Sequence, residues 1–113
     1  MLIYKIFTAG QWADLQAAGE TSGAPVDLSD GVIHFSTAAQ AAETAAKHFA
    51  GQADLVLAAV EAEPLGEALK WEPSRGGALF PHLYARLPLA AVVWSRPLPL
   101  GPDGAHVFPE RMA

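Results

Sequence analysis

Apolar and polar positions along the chain form patterns that predict several short strands. Leu2–Phe7 is rich in β-branched and aromatic residues, which favour a first strand. Residues 54–60, with the sequence DLVLAAV, are almost continuously apolar, which is typical of a central strand covered on both faces. Further strands are predicted at Val32–Phe35, at Leu69–Glu72 and, as a second buried strand, at Leu89–Trp94.

Two helices are predicted between these strands. Ala9–Ala18 follows a threonine that can cap a helix and precedes a glycine that can end it. Thr37 and Gln40 match a capping box, in which each side chain satisfies a backbone amide of the other residue, and this predicts a helix over about Ala38–Ala50. Glu20–Asp30 is rich in Ser, Gly, Pro and Asp and is expected to be a loop.

Length and composition indicate a single domain over residues 1–113. Hydrophobic residues make up 51% of the chain and charged residues only 17%, so the chain has enough apolar side chains for a packed core. Prolines recur towards the C-terminus, and we therefore expect residues from about 97 to 113 to be an extended segment lying on the domain.

The charge pattern narrows the possible partners. The net charge is −5 and the seven Lys and Arg residues are scattered, so the basic surface that dominates nucleic-acid affinity is missing. No apolar run reaches membrane-spanning length. Cysteine is absent, which excludes disulfides and thiolate chemistry and fits a cytoplasmic protein. The four histidines show no metal-ligand spacing, so we predict no metal site and expect a small-molecule ligand.

Two short polar stretches carry the most site-like pattern in the chain. His34 is followed two residues later by Ser36, and His82 is followed two residues later by Tyr84. Strand side chains alternate with period two, so each pair is expected to share one face and hold a polar ligand there.

Each stretch also has a purely structural interpretation. His34 can be a half-buried strand residue beside a helix cap, and His82 and Tyr84 can belong to an ordinary edge strand. The functional alternative has a mechanism, because the first turn of the helix after Thr37 leaves unpaired N–H groups that favour phosphate or carboxylate. On this interpretation His34, Ser36 and Thr37 bind the ligand, and Tyr84 stacks on it or donates its hydroxyl.

Trp71, Glu72 and Arg75 form a third candidate group, next to a Gly-rich loop that could close over a ligand. Glu72 follows an apolar strand into that loop, and we predict that Glu72 and His82 are the catalytic residues of any reaction, with Trp71 and Arg75 binding the ligand. The alternative is a core tryptophan, a solvated glutamate and an arginine with no fixed role.

The string Asp30–Gln40, DGVIHFSTAAQ, resembles the signature of a family of small bacterial proteins known as domain of unknown function 952. Further matches follow the order of that family and span the chain from Ile3 to about Val93: Ile3–Ile6, Trp12, Leu55–Leu57, Trp71–Glu72 and Phe80–Tyr84. The resemblance implies a compact α+β domain of ADP-ribosyltransferase-like fold. Such a domain has two small mixed or antiparallel sheets with two flanking helices, and NAD lies in a cleft between the sheets.

The resemblance also implies roles for individual residues. In ADP-ribosyltransferase-like enzymes a strand-borne histidine followed by a hydroxyl residue grips the ribose next to nicotinamide, and His34 with Ser36 or Thr37 is similar to that element. Tyr84 would then stack on nicotinamide, and Glu72 would stabilise the oxocarbenium ion.

Three functions are therefore open. The first is a transferase of ADP-ribosyltransferase-like type that binds NAD, as its substrate, or a related nucleotide. The second is a non-catalytic module that binds a small anionic metabolite through the same residues. The third is an RNA 2′-phosphotransferase-like enzyme, which is disfavoured because the chain lacks a basic surface.

Overall fold

The structure is a computed structural model that describes residues 1–74, 77–110 and 112. One antiparallel sheet contains three strands, β1 (Leu2–Thr8), β4 (Leu55–Glu61) and β8 (Val92–Leu98), in the order β1-β4-β8. The central position of β4 is as predicted from its continuous apolar run, and its residues 57–60 are fully buried. Both faces of this strand therefore contribute to the core.

A second antiparallel sheet has the order β3-β6-β5, formed by β3 (Ile33–His34), β6 (Leu79–Leu83) and β5 (Leu69–Pro73). The two sheets meet at β1, where the backbones of Tyr4 and Ser36 exchange two hydrogen bonds of 2.7 and 2.8 Å. This junction fixes the second sheet against the free edge of the first.

A third sheet pairs β2 (Glu20–Thr21) with β7 (Leu87–Pro88). The α+β class is confirmed, but the expectation of two sheets was wrong, as was the expectation of a loop starting at Glu20. All observed strand pairs are antiparallel. The local sequence of β2 does not predict a strand, because its partner β7 lies far along the chain.

Two helices begin and end much as expected. α1 spans Ala9–Ala18 and α3 spans Ala38–His48, and both begin with a complete capping box. α1 packs through Leu15 beside Phe7 on one side of the first sheet, and α3 packs through Ala45 on the other. Among the described residues, no helix is long and apolar enough to cross a membrane.

A third helix, α2, spans Pro25–Asp30, within the region that was predicted to be a loop. Pro25 occupies its first turn, where a missing N–H group costs nothing, and Gly31 ends it with a φ of 77°. The side chain of Asp27 accepts a hydrogen bond of 2.8 Å from the amide of Ala24, which completes the start of the helix. The helix carries Asp27 into the interior.

The C-terminal part of the chain differs from its prediction in two respects. Residues 89–91, which were expected to begin a strand, form a short 3-10 turn. β8 continues through Arg96 and Pro97 to Leu98, although the extended C-terminal segment was expected to begin at about residue 97. β8 is also an edge strand, with Val93 exposed, and not a second buried strand. Proline is tolerated here because an edge strand needs hydrogen bonds on one side only.

Candidate functional site

A cavity of about 530 Å³ lies at the junction of the two three-stranded sheets. One wall comes from β1, another from β3 and β6, and the remaining walls from α2 and α3. Its polar lining includes Lys5, Asp27, His34, Ser36, Thr44 and His82. Its apolar lining includes Tyr4, Ile6, Phe35, Phe49 and Phe80. The volume and this mixture are typical of small-molecule sites, which run from about 300 to 1,000 Å³.

The two predicted histidines lie side by side in this cavity. His34 of β3 and His82 of β6 are direct partners in the antiparallel register, so their side chains point to the same face of the sheet. Their ring centroids are 5.0 Å apart and the rings are inclined by 74°. The pairing of two strands that are far apart in the sequence thus places two imidazoles at one point of the cavity wall.

His34 is oriented by a buried carboxylate. Its Nδ1 donates to Oδ1 of Asp27 over 2.6 Å, and its backbone amide donates to the same oxygen over 3.2 Å. The other oxygen of Asp27 accepts from Nζ of Lys5 over 2.8 Å as well as from the backbone amide of Ala24. Asp27 is therefore surrounded by donors, and it keeps a proton on Nδ1 of His34 and fixes the orientation of the ring.

Asp27 and Lys5 form a buried ion pair, with side-chain exposures of 0% and 7%. Burial alone would raise the pKa of Asp27, but the charge of Lys5 and the hydrogen bonds from Lys5, His34 and Ala24 outweigh it, so the pKa lies below its ordinary value. Lys5 also donates to the carbonyl of His34 over 3.0 Å. The pair thereby ties α2, β1 and β3 together around the cavity.

The second nitrogen of His34 faces another carboxylate. Nε2 lies 3.2 Å from Oδ2 of Asp30, whose side chain is 52% exposed and lines the same cavity. A carboxylate can only accept, so both carboxylate contacts of His34 are satisfied together only when both ring nitrogens carry protons.

His82 is held by Glu72 in a similar way. Its Nδ1 donates to Oε1 of Glu72 over 2.8 Å, and the hydroxyl of Tyr84 donates to both carboxylate oxygens over 2.8 and 2.9 Å. The hydrogen bond from His82, followed by that from Tyr84, holds the pKa of Glu72 below its ordinary value. The same carboxylate raises the pKa of Tyr84.

Glu72 and Tyr84 are not among the residues that line the cavity. Glu72 contacts the cavity lining through its hydrogen bond to His82, and Tyr84 lines a separate, smaller depression with Ile33 and Leu83. Of the four residues in the two His-x-hydroxyl pairs, His34, Ser36 and His82 therefore share one cavity and Tyr84 does not.

Ser36 and Thr37 have different positions. Ser36 lines the cavity, and its hydroxyl lies 2.8 Å from that of Thr44 on α3. The hydroxyl of Thr37 accepts from the amide of Gln40 over 3.3 Å, which is its capping role. α3 lines the cavity from Ala41 to His48, whereas Thr37 and residues 38–40 at the start of the helix do not line it, so the expected anion site at the helix start is not where the cavity lies.

The third predicted group is not assembled at the cavity. Trp71 is paired with Pro81 in the register, one position along the strand from Glu72, so its side chain points to the opposite face of the sheet and is 38% exposed. Arg75 lies outside the described residues.

Sequence reasoning missed Lys5, Asp27 and Asp30 as members of the site. Lys5 interrupts an apolar strand, and a charged residue in such a run signals a buried partner. Asp27 lies two residues after Pro25, a spacing that fits the first turn of a helix.

Among the described residues, no group of three or more His, Cys, Asp or Glu side chains could hold a metal ion.

These features define a small α+β protein whose described residues form three antiparallel sheets and a cavity with two carboxylate-bound histidines in its wall. Comparison with family models identifies it further: the chain belongs to the family described as protein of unknown function (DUF952), whose model matches residues 6–95.

Solved structures with the same fold come from protein CC0527 of Caulobacter crescentus. Its crystal structure is 56% identical in sequence with a TM-score of 0.91, and the match covers 95% of this chain and 94% of that one. Its solution NMR structure is 58% identical with a TM-score of 0.84, over 92% of this chain and 90% of that one. No curated protein matches the chain.

Proposed function

We propose that this protein binds a nucleotide-like small molecule, NAD or a part of it, in the cavity at the junction of the two three-stranded sheets. The observation that carries the proposal is the cavity itself, because its wall combines His34, Ser36 and His82 with aromatic side chains. Imidazoles and hydroxyls can hydrogen-bond ribose and phosphate oxygens, while Tyr4, Phe35 and Phe80 offer apolar surface to a base.

A cavity between two small sheets is also what an ADP-ribosyltransferase-like fold would use for NAD, and this fold assignment is part of the proposal. The net charge of −5 and the scattered basic residues favour a small ligand over a nucleic acid. We also propose a cytoplasmic location, which agrees with the absence of cysteine.

A non-catalytic binding module is the second candidate, and one observation favours it. Glu72 is engaged by His82 and Tyr84 and does not line the cavity, so it is poorly placed to stabilise an oxocarbenium ion directly. If ADP-ribosyl transfer occurs, Glu72 acts as a positioning residue for His82. Analysis of products after incubation with NAD separates a transferase from a binding module.

The binding proposal is tested by titrating the protein with NAD, ADP-ribose, nicotinamide mononucleotide and AMP, using calorimetry and thermal unfolding. A ligand at a hundred times its Kd should stabilise the fold by about 2.7 kcal/mol, which corresponds to roughly 10 °C in the unfolding midpoint. His34→Gln should weaken binding at least tenfold, while His106→Gln, outside the cavity, should leave it unchanged. No heat and no midpoint shift with any of these ligands at millimolar concentration would refute the proposal.

A further inference from the structure

We propose that His34 and His82 form an acid–base pair that hydrolyses a strained phosphodiester, specifically a nucleoside 2′,3′-cyclic phosphate. This inference rests on the proposed function, because it requires a nucleotide in the cavity. Displacement at phosphorus needs a base at the attacking oxygen and an acid at the leaving oxygen, and two imidazoles on one wall can supply both.

The contacts of the two rings differ, and the difference assigns their roles. Both ring nitrogens of His34 face carboxylates, Nδ1 that of Asp27 and Nε2 that of Asp30, so the geometry assigns to His34 the proton-donating role of the acid. His82 donates through Nδ1 to Glu72, and within the described part of the chain no group hydrogen-bonds to its Nε2. In the neutral ring Nδ1 carries the proton and Nε2 has the lone pair, so Nε2 of His82 can act as the base.

The surroundings of the pair suit a phosphate. Lys5 lines the cavity, and among the described residues its ammonium donates to Asp27 and to the carbonyl of His34. A lysine ammonium has three donors, so one N–H group remains for a phosphate oxygen. Asp30 is exposed at the cavity, and a phosphate can take its place at Nε2 of His34.

The size of the cavity and the charge of the protein select a mononucleotide. A volume of about 530 Å³ is within the range of pockets that enclose one small molecule. With a net charge of −5, the protein offers little attraction to a polynucleotide backbone. A terminal or free cyclic phosphate on a single ribose is thus the substrate class that fits.

The reaction balances with water as the only co-reactant. His82 takes a proton from water as the water oxygen bonds to phosphorus, and the bond from phosphorus to one ribose oxygen breaks. His34 gives its proton to that departing oxygen, and the product is a nucleoside monophosphate. After the step His82 is protonated and His34 is not, and proton exchange with solvent restores both. Asp27 and Glu72 are positioning residues that keep each Nδ1 turned away from the substrate.

The experiment incubates the protein with the four nucleoside 2′,3′-cyclic phosphates and follows product by ³¹P NMR and chromatography. We expect multiple turnovers to a monophosphate, with kcat lowered at least about 100-fold by His34→Gln or His82→Gln. The double variant should lose little more than either single variant, because the two residues act as a unit. His106→Gln, a histidine outside the cavity, is the matched control and should keep full activity.

The pH profile of kcat distinguishes chemistry from a structural role. The wild type should be bell-shaped, since the base must be unprotonated and the acid protonated. His82→Gln should lose the limb that falls at low pH, and His34→Gln the limb that falls at high pH. If either variant does not fold by circular dichroism, Glu72→Gln gives a second test, with an expected loss of about tenfold and a displaced acid limb.

The outcomes separate the two proposals. Binding of AMP without turnover, or turnover that persists in the double variant, would overturn the acid–base pair and leave nucleotide binding intact. Absence of both binding and turnover would overturn both proposals. Turnover that depends on both histidines supports them together.

Discussion

Replacing Asp27 by Asn should strongly destabilise the fold, because Asp27 is surrounded only by donors. Its Oδ1 accepts from the backbone amide and Nδ1 of His34, and its Oδ2 accepts from Lys5 and from the amide of Ala24. Asn has one acceptor oxygen, so its NH₂ group would have to face two of these donors. The change is nearly isosteric, so lost packing does not confuse the result.

The magnitude follows from what is left unpaired. One lost hydrogen bond to the Lys5 ammonium is worth about 1.5–3 kcal/mol and one to a backbone amide about 1 kcal/mol. Removing one partner of a buried ion pair typically costs about 3–5 kcal/mol, which agrees with that sum. The unfolding midpoint should therefore fall by roughly 12–20 °C for a domain of this size.

Urea unfolding followed by circular dichroism measures this free energy directly. Asp14→Asn is the matched control, because Asp14 lies on the exposed side of α1, and its effect should stay within about 0.5 kcal/mol. A loss of less than about 1 kcal/mol in Asp27→Asn would contradict the buried network described above.

Three further outcomes are expected. The pKa of Asp27 is lower in the folded than in the unfolded chain, so its contribution to folding stability is present above about pH 4 and is lost as the pH falls towards the folded pKa. When urea midpoints are measured from pH 7 to pH 3, Asp27→Asn should therefore show a smaller loss of stability at acid pH than the wild type. Thr37→Ala removes the α3 cap and should cost about 1 kcal/mol in the same assay, whereas no loss would mean that the cap is dispensable. Tyr84→Phe removes the hydroxyl that donates to both carboxylate oxygens of Glu72, so the carboxyl pKa of Glu72 measured by NMR should rise, and an unchanged value would refute the contact.

Local signals account for the elements that were predicted well. The capping boxes of α1 and α3 depend on residues three apart, and the apolar run of β4 lies within seven residues, so each is readable from a short window. α2 was missed although Pro25 and Gly31 mark its ends, because a segment rich in Ser, Gly and Asp also favours a loop.

The site was predictable only in part, because its geometry depends on pairing between distant segments. The repeated His-x-hydroxyl pattern predicted His34 and His82 as site residues, and the structure places both at one cavity, but nothing in the local sequence shows that β3 and β6 bring them opposite each other. Trp71 and Glu72 are adjacent in sequence, yet the alternation of β5 sends their side chains to opposite faces. Lys5 and Asp27 contribute most of the buried charge, and their contact joins β1 to a helix that had been expected to be a loop.

An NMR titration of the histidine ring signals with AMP and with NAD tests most directly whether the cavity is the ligand site. The ring protons of His34 and His82 should shift and saturate together with one Kd, while those of His106, outside the cavity, should stay in place. Shifts confined to His106 and other surface groups, with His34 and His82 unchanged at saturating ligand, would show that the cavity does not bind nucleotides.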